Sequence, residues 1–425
     1  MLSSTYLPLL VRKPLLLPIF LLSFATVAFC QSAKVDSSKM ITLRLNPQEA
    51  RGAAVSQIFD EVNFIPLETT KESLFGSIND LKILKGHFVV FDYDTRCVLI
   101  FSKTGKFKAK INGSMISDPA EDDKDKGQFY GFDLQKFKGD SVISIRSGRH
   151  IHHFGLDGKR IEKVPLKDLN YSREFLLGSD EARVRPNFIQ KRGSDSTWFE
   201  LAILRKNDTL AYFPFDIDRY KKDEFWDSPK FFSYGVPDEM FFINLYDFDI
   251  YRVSPSNLSL AYRIIFPAVN TLPKDFISNP IYLKKKGEFF RSNPKVFYRT
   301  HFAYLIGDNL YLQMSCFAPP SEAKKAIIYN LKTTEMTSLQ DLQPDSLSQF
   351  LPVNDAGGFY DFANRGFHLL KDDYLYTSYS SLAMFSFKSQ LGDKQQPFSP
   401  LMQQYFKTQD KKSNPVIVQL KPKKN

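Results

Sequence analysis

Turn positions that repeat 53 residues apart, an aromatic share of 15% and a last repeat without an outer strand predict an all-β chain. The architecture they specify is a six-bladed β-propeller of four-stranded antiparallel blades, its ring closed by an N-terminal strand that completes the last blade. The aromatic share comes from 40 Phe and 20 Tyr against 2 Trp, and such rings suit a pleated, half-buried surface. Hydrophobic residues at 43% and charged residues at 24% exclude a disordered chain. At 425 residues the chain would ordinarily divide into two or three domains, but stacked repeats make it one.

The first element precedes the ring. Arg12 and Lys13 are followed by an uncharged stretch, Leu15 to Phe29, and then by polar Gln31-Ser32-Ala33-Lys34, the layout of a secretory signal peptide over residues 1–30. Ala28-Phe29-Cys30 reads as a small-x-small cleavage site. Soluble export is favoured over a lipid anchor at Cys30, because Phe29 is bulky where an acylated cysteine wants a small neighbour. As a helix the stretch would span about 22 Å, short of the ~30 Å hydrocarbon core. The expected destination is the periplasm, the cell surface or the medium, with no transmembrane segment in the mature chain. Beyond residue 30 only Cys97 and Cys316 remain, so no disulfide framework exists, and a core of this size needs none.

The repeat itself is visible in pairs. Asp80-Leu81, Lys85-Gly86, Phe88-Val89-Val90, Phe101 and Gly105-Lys106 recur as Asp133-Leu134, Lys138-Gly139, Ser141-Val142-Ile143, Phe154 and Gly158-Lys159. Each copy reads as four strands with a tight Lys-Gly turn after the first and a Gly turn before the last. One such meander has two apolar faces and cannot bury both alone, so copies must stack. Blade one takes residues 78–111, blade two 131–166, blade three 182–215, blade four 230–268, blade five 300–337 and blade six 365–421. Blade six ends almost at the terminus, at Val416 to Leu420. The outer strand it lacks is supplied by residues 61–67, Glu61 to Leu67, which resemble the outer strand around Pro165. Together these form a single domain over 31–425.

With these residues in view, the chain resembles the exported six-bladed β-propeller proteins of Bacteroidetes, a family mostly uncharacterised. The matching stretches are Asn63-Phe-Ile-Pro-Leu-Glu-Thr69, Phe101-Ser-Lys-Thr-Gly105, Asn354-Asp-Ala-Gly-Gly358 and Asn414-Pro-Val-Ile-Val418. The chain departs from the family's Gly-Pro-Gly-Glu-Tyr type segment between the first two blades, where it has Ser117 to Lys126. The resemblance implies the fold and export, and it brings no catalytic set.

Candidate functional residues follow from the topology. Asp80 and Asp133 open innermost strands and would line the central channel. Asp94 and Asp247 fall in turns between second and third strands, and Asn354, Asp355, Tyr360 and Asp361 fall in a connection between blades on the same end of the ring. Carboxylates and amides beside aromatic rings suit a sugar, whose C–H faces stack on rings while its hydroxyls take hydrogen bonds. The same residue types also cap strands and satisfy turn amides. His150 and His152 share a strand face and are the weak metal candidates, with no Asp, Glu or Cys at a spacing that completes the site. The acidic run Glu121-Asp122-Asp123-Lys124-Asp125 lacks the alternation of a calcium loop and reads as a solvated connection.

The expected function is an exported, non-enzymatic binding or interaction protein whose partner is a glycan or an envelope protein. The alternative is a glycan- or lactone-directed hydrolase or lyase with an acidic site in the channel. No nucleophile elbow, Walker loop, dinucleotide fingerprint or H-E-x-x-H motif is present. No cofactor is predicted, and a divalent metal ion is the one addition the acidic groups leave open. The net charge of +10 is dispersed apart from Lys284-Lys285-Lys286 and the C-terminal lysines, which argues against nucleic acid and suits a solvated surface or an acidic envelope. The chain is expected to act as a monomer.

Overall fold

The structure is a computed structural model that describes residues 32–117, 127–166, 174–177, 182–224, 230–353, 366–392 and 398–424. Six antiparallel four-stranded blades follow one another along the chain as a six-bladed propeller, and an N-terminal strand adds a fifth, parallel member to the sheet of blade four. Blade one is Asp80–Leu84, His87–Asp92, Cys97–Ser102 and Phe107–Ile111, from the channel outward. Blade two is Asp133–Phe137, Asp140–Ser147, His150–Phe154 and Arg160–Pro165. The Lys-Gly turns that tie the inner two strands have both central residues at positive φ, 48° and 74° at Lys85-Gly86 and 51° and 85° at Lys138-Gly139. That is the backbone a two-residue hairpin between twisted strands requires.

Blade three is Phe175–Leu177, Ala182–Arg192, Asp195–Arg205 and Thr209–Phe215. Its short inner strand was not read from the sequence. Blade four is Lys230–Phe232, Met240–Ile243, Asp249–Val253 and Leu258–Ile265. Blade five is Arg299–Ile306, Asn309–Ser315, Ala326–Asn330 and Met336–Ser338. In blade six, Leu369–Lys371, Tyr374–Tyr379 and Val416–Pro422 are joined on the outside by Phe59–Pro66, so the N-terminal strand closes the ring as the missing outer strand required. Two helices, Ser381–Gln390 and Pro400–Thr408, are inserted between the second and third strands of this blade.

The core lies between the blades. In blade one Val89, Phe91, Val98 and Ile100 face blade two, while Phe88, Val90, Leu99 and Phe101 face blade six. Both faces of these strands are therefore apolar, which is why they read as continuous hydrophobic runs rather than alternating ones. Aromatic rings do much of the filling: Phe88 meets Tyr376 across blades one and six at 6.0 Å, and Phe302 meets Phe367 across five and six at 5.6 Å. Cys97 and Cys316 are both free and buried.

An N-terminal strap follows part of the ring's outer edge. Residues 32–58 run along its outside and touch one outer strand after another. Ala33 N–H donates to Ala211 O in blade three, and Ile41–Arg44 pairs in parallel with the outer strand of blade four. Arg51 and Ser338 then exchange contacts in blade five before the chain enters blade six at Phe59.

Candidate site at the channel mouth

The residues that open the innermost strands all reach one end of the ring, because every inner strand runs in the same direction away from its incoming connection. Asp80 and Asp133 hold this position in blades one and two, and Lys230 holds it in blade four. His301 lies near the start of the inner strand of blade five, and His368 immediately precedes that of blade six. Asp80, Lys230, His301 and His368 line one cavity of about 200 Å³, with Gln313 and Phe232 also in its wall. Four blades thus contribute side chains to it.

Between blades one and two the mouth widens. Lys82 stands two positions after Asp80, on the same strand face. Its ammonium lies 2.5 Å from Asp80 Oδ2, 3.7 Å from Asp133 Oδ1 and 2.7 Å from Phe132 O, and sits 4.1 Å from the centre of the Phe132 ring. One cation therefore bridges two carboxylates from equivalent positions of neighbouring blades. A cleft of about 440 Å³ opens beside this bridge, lined by Asp80 and Asp133 with Gln128, Tyr130 and Arg146. Asp133 also lines a third cavity of about 550 Å³, deeper in the channel and walled by blades one to four. Asp80 and Asp133 stand where these spaces meet.

An aromatic platform borders the cleft. The Tyr130 ring is 64% exposed and lies 6.3 Å from that of Tyr93, with the Arg96 guanidinium 5.3 Å from its centre. Tyr130 O–H donates to Gln128 Oε1 at 3.1 Å, which fixes the ring's tilt. At the other side of the mouth His368 Nε2 contacts Ser378 Oγ at 2.8 Å.

Among the described residues, the other sequence candidates Asp94, Asp247, His150 and His152 do not line these three cavities. Asp94 is an exposed turn residue of blade one. Asp247 is engaged within its own turn, accepting from Asp249 N–H at 3.0 Å and from Tyr251 O–H at 3.1 Å, and burial pushes its pKa up to about 6. Asn354, Asp355, Tyr360 and Asp361 lie outside the described residues, as do the acidic run 121–125 and the export segment 1–30. His150 and His152 place their rings 6.4 Å apart, and His152 is buried. Their neighbour His153 bonds Ser144 Oγ at 2.8 Å and stacks on Phe137 at 4.1 Å, and burial lowers its pKa. Among the described residues no group of three or more metal-ligating side chains comes together.

Sequence reading missed Lys82, Tyr130, Lys230, His301 and His368. A signal for most of them existed: each of the last three stands at or beside the start of an inner strand, the position that singled out Asp80 and Asp133.

A family model described as a domain of unknown function, DUF4934, matches residues 39–421. No curated protein matches the chain. Among solved structures, a protein from Bacteroides fragilis described as exported is 14% identical, with 90% of this chain and 99% of that one covered and a TM-score of 0.61. A member of the DUF4221 family from Bacteroides vulgatus is 11% identical over 86% of this chain and 97% of that one, with a TM-score of 0.39. The first likeness supports the fold. Among the described residues no helix is long and apolar enough to cross a membrane.

Proposed function

The chain belongs to the DUF4934 family, and from that premise we propose that it is an exported binding protein whose channel mouth holds a glycan. The observation that carries this reading is the Asp80–Lys82–Asp133 bridge set beside the exposed ring of Tyr130. A sugar ring presents an apolar C–H face and a fringe of hydroxyls. Tyr130 and Tyr93 offer the flat surface, while the carboxylates accept hydroxyl protons and Arg146 and Gln128 offer donors at the same cleft. A ligand seated there would extend from the cleft toward His301 and His368, since Asp80 borders both spaces.

Binding is favoured over turnover by the same bridge. One ammonium holds Asp80 and Asp133 in place and leaves further lone pairs on each carboxylate to accept ligand hydroxyls, an arrangement suited to orienting a ligand. Export rests on the N-terminal segment of residues 1–30, whose sequence has the layout of a secretory signal peptide.

A glycan array followed by calorimetry on the purified protein tests the proposal. Retention of a glycan is expected, with Tyr130→Ala weakening it roughly tenfold, as loss of about 1.4 kcal/mol of stacking implies. Asp133→Asn should weaken it as well. Failure to retain any glycan would refute the reading, and release of new reducing ends from a bound glycan would replace it with a hydrolase.

A further inference from the structure

The connection from blade four to blade five is far longer than a turn. It leaves the outer strand at Pro267, contains a short helix at Lys286–Ser292, and enters blade five after Tyr298. It closes around an aromatic core of its own. The ring of Phe276 lies 4.9 Å from Tyr282, 5.0 Å from Phe289, 5.4 Å from Phe290 and 5.2 Å from Tyr246 of blade four.

Electrostatics pin this insertion from beneath. Lys286 is buried, forms an ion pair with Asp223, and lies 5.7 Å from the Phe276 ring and 5.8 Å from that of Tyr246. Asp223 also accepts from Lys284 N–H at 3.0 Å, and Glu224 accepts from Gly287 N–H at 2.7 Å. The basic run Lys284-Lys285-Lys286 therefore divides: Lys286 is structural, whereas the side chains of Lys284 and Lys285 are exposed.

The outward side of the insertion combines two features that solvent alone does not favour. Val269 and Ile281 are each 61% exposed and Ile277 is 46% exposed. On the same segment Lys274, Lys284, Lys285, Arg291 and Lys295 are exposed and form no ion pair among the described residues, with only Asp275 and Glu288 as acidic company. We propose that this insertion is a docking surface for an anionic lipid membrane. The aliphatic side chains enter the boundary between headgroups and acyl chains, and the basic groups meet the headgroup phosphates. The charge excess selects the occupant, because an apolar protein partner would not need five unpaired cations on the same segment. Docking in this way would present the ring to the envelope without a spanning helix.

Co-sedimentation of the purified protein with vesicles decides the matter. Vesicles containing about a third phosphatidylglycerol should bind at least tenfold more protein than vesicles of phosphatidylcholine alone, and binding should fall with salt. K284E/K285E should reduce binding to the phosphatidylcholine level. Ile281→Ser should lower it several-fold while the salt dependence persists. Both variants change exposed side chains, so their thermal unfolding should match that of the parent, and K274E/K295E serves as a second charge reversal if it does not. Equal binding to both vesicles, or no loss in either charge reversal, overturns the proposal. So does retention on soluble heparin without any binding to vesicles, which would make the surface a polyanion site instead.

Discussion

Asp247 carries a charge that its surroundings disfavour. Burial is the main reason its pKa reaches about 6, and the neighbouring carboxylate of Asp249, held beside it by two Arg263 hydrogen bonds of 2.9 Å and 2.6 Å, pushes the same way. Its folded value lies above its ordinary value of 3.8, so the folded state binds the extra proton. The stabilisation is complete below about pH 4 and is lost as pH rises through about 6, on the order of 1–3 kcal/mol in all. Asp247→Asn keeps an acceptor for Asp249 N–H and removes the charge. Chemical denaturation should find this variant more stable than the parent at pH 7.5 and nearly equal to it at pH 4; equal gains at both would mean that titration is not the cause. The contrast with Asp80 shows what could be read of the site. Position in the repeat marked Asp80 and Asp133 as channel residues because identical offsets from identical turns put them at one end of the ring. Lys230, His301 and His368 belong to blades whose repeats have diverged in length, and only the closed ring brings them to the same cavity as Asp80.

Glycine turns made the fold legible, and one of them also explains how the ring locks. Gly105 and Gly158 adopt positive φ of 82° and 73°, the conformation that places glycine at a fixed offset in each copy. Gly105 does more than turn. A Cβ there would stand 2.2 Å from Pro66 O, because the turn packs against the end of the closing strand, where Glu68 N–H donates to Gly105 O at 2.8 Å. Glu68 returns to the same hairpin, accepting from Phe107 N–H at 2.9 Å, and that bond holds its carboxyl below the usual range. Gly86, by comparison, has positive φ and nothing within 4 Å of an added Cβ. Gly86→Ala should therefore cost about 1 kcal/mol, and Gly105→Ala about 2 kcal/mol or more, in urea denaturation. Equal costs would mean that the hairpin and the closing strand do not interlock. Elements that rest on distant backbone pairing left no such mark. Ile41–Arg44 joins blade four through parallel hydrogen bonds that no local pattern announces, and the three-residue inner strand Phe175–Leu177 is too short to show alternation.

Closing a ring of blades leaves six outer strands whose backbone groups face outward, each a template for unwanted pairing. Two solutions appear in this chain. Blades one and two blunt their edges with charge and proline, as in Phe107–Ile111 with Lys108 and Lys110 and in Arg160–Pro165 with Lys163 and Pro165. Blades three to five are instead touched in turn by residues 32–58, and blade six takes Phe59–Pro66 as its own outer strand. The strap also feeds the core: Leu43, Leu45 and Ala50 pack between blades four and five, and Val55 packs between five and six. Burial of the two leucines and the valine stabilises the fold by roughly 1.5–3 kcal/mol each, before chain entropy is charged against it. The strap and the closing strand should thus separate on truncation. A chain beginning at residue 59 keeps the ring closed, and it should melt several degrees lower and form concentration-dependent oligomers through the bared edges of blades three to five. A chain beginning at residue 67 also loses Val62, Phe64 and Ile65 from the blade six interfaces, and it should not fold cooperatively at all. Circular dichroism melts with light scattering after gel filtration distinguish these outcomes. If the chain from residue 59 remains monomeric and melts with the full-length protein, the strap neither stabilises nor shields the ring, and edge protection must come from the outer strands themselves.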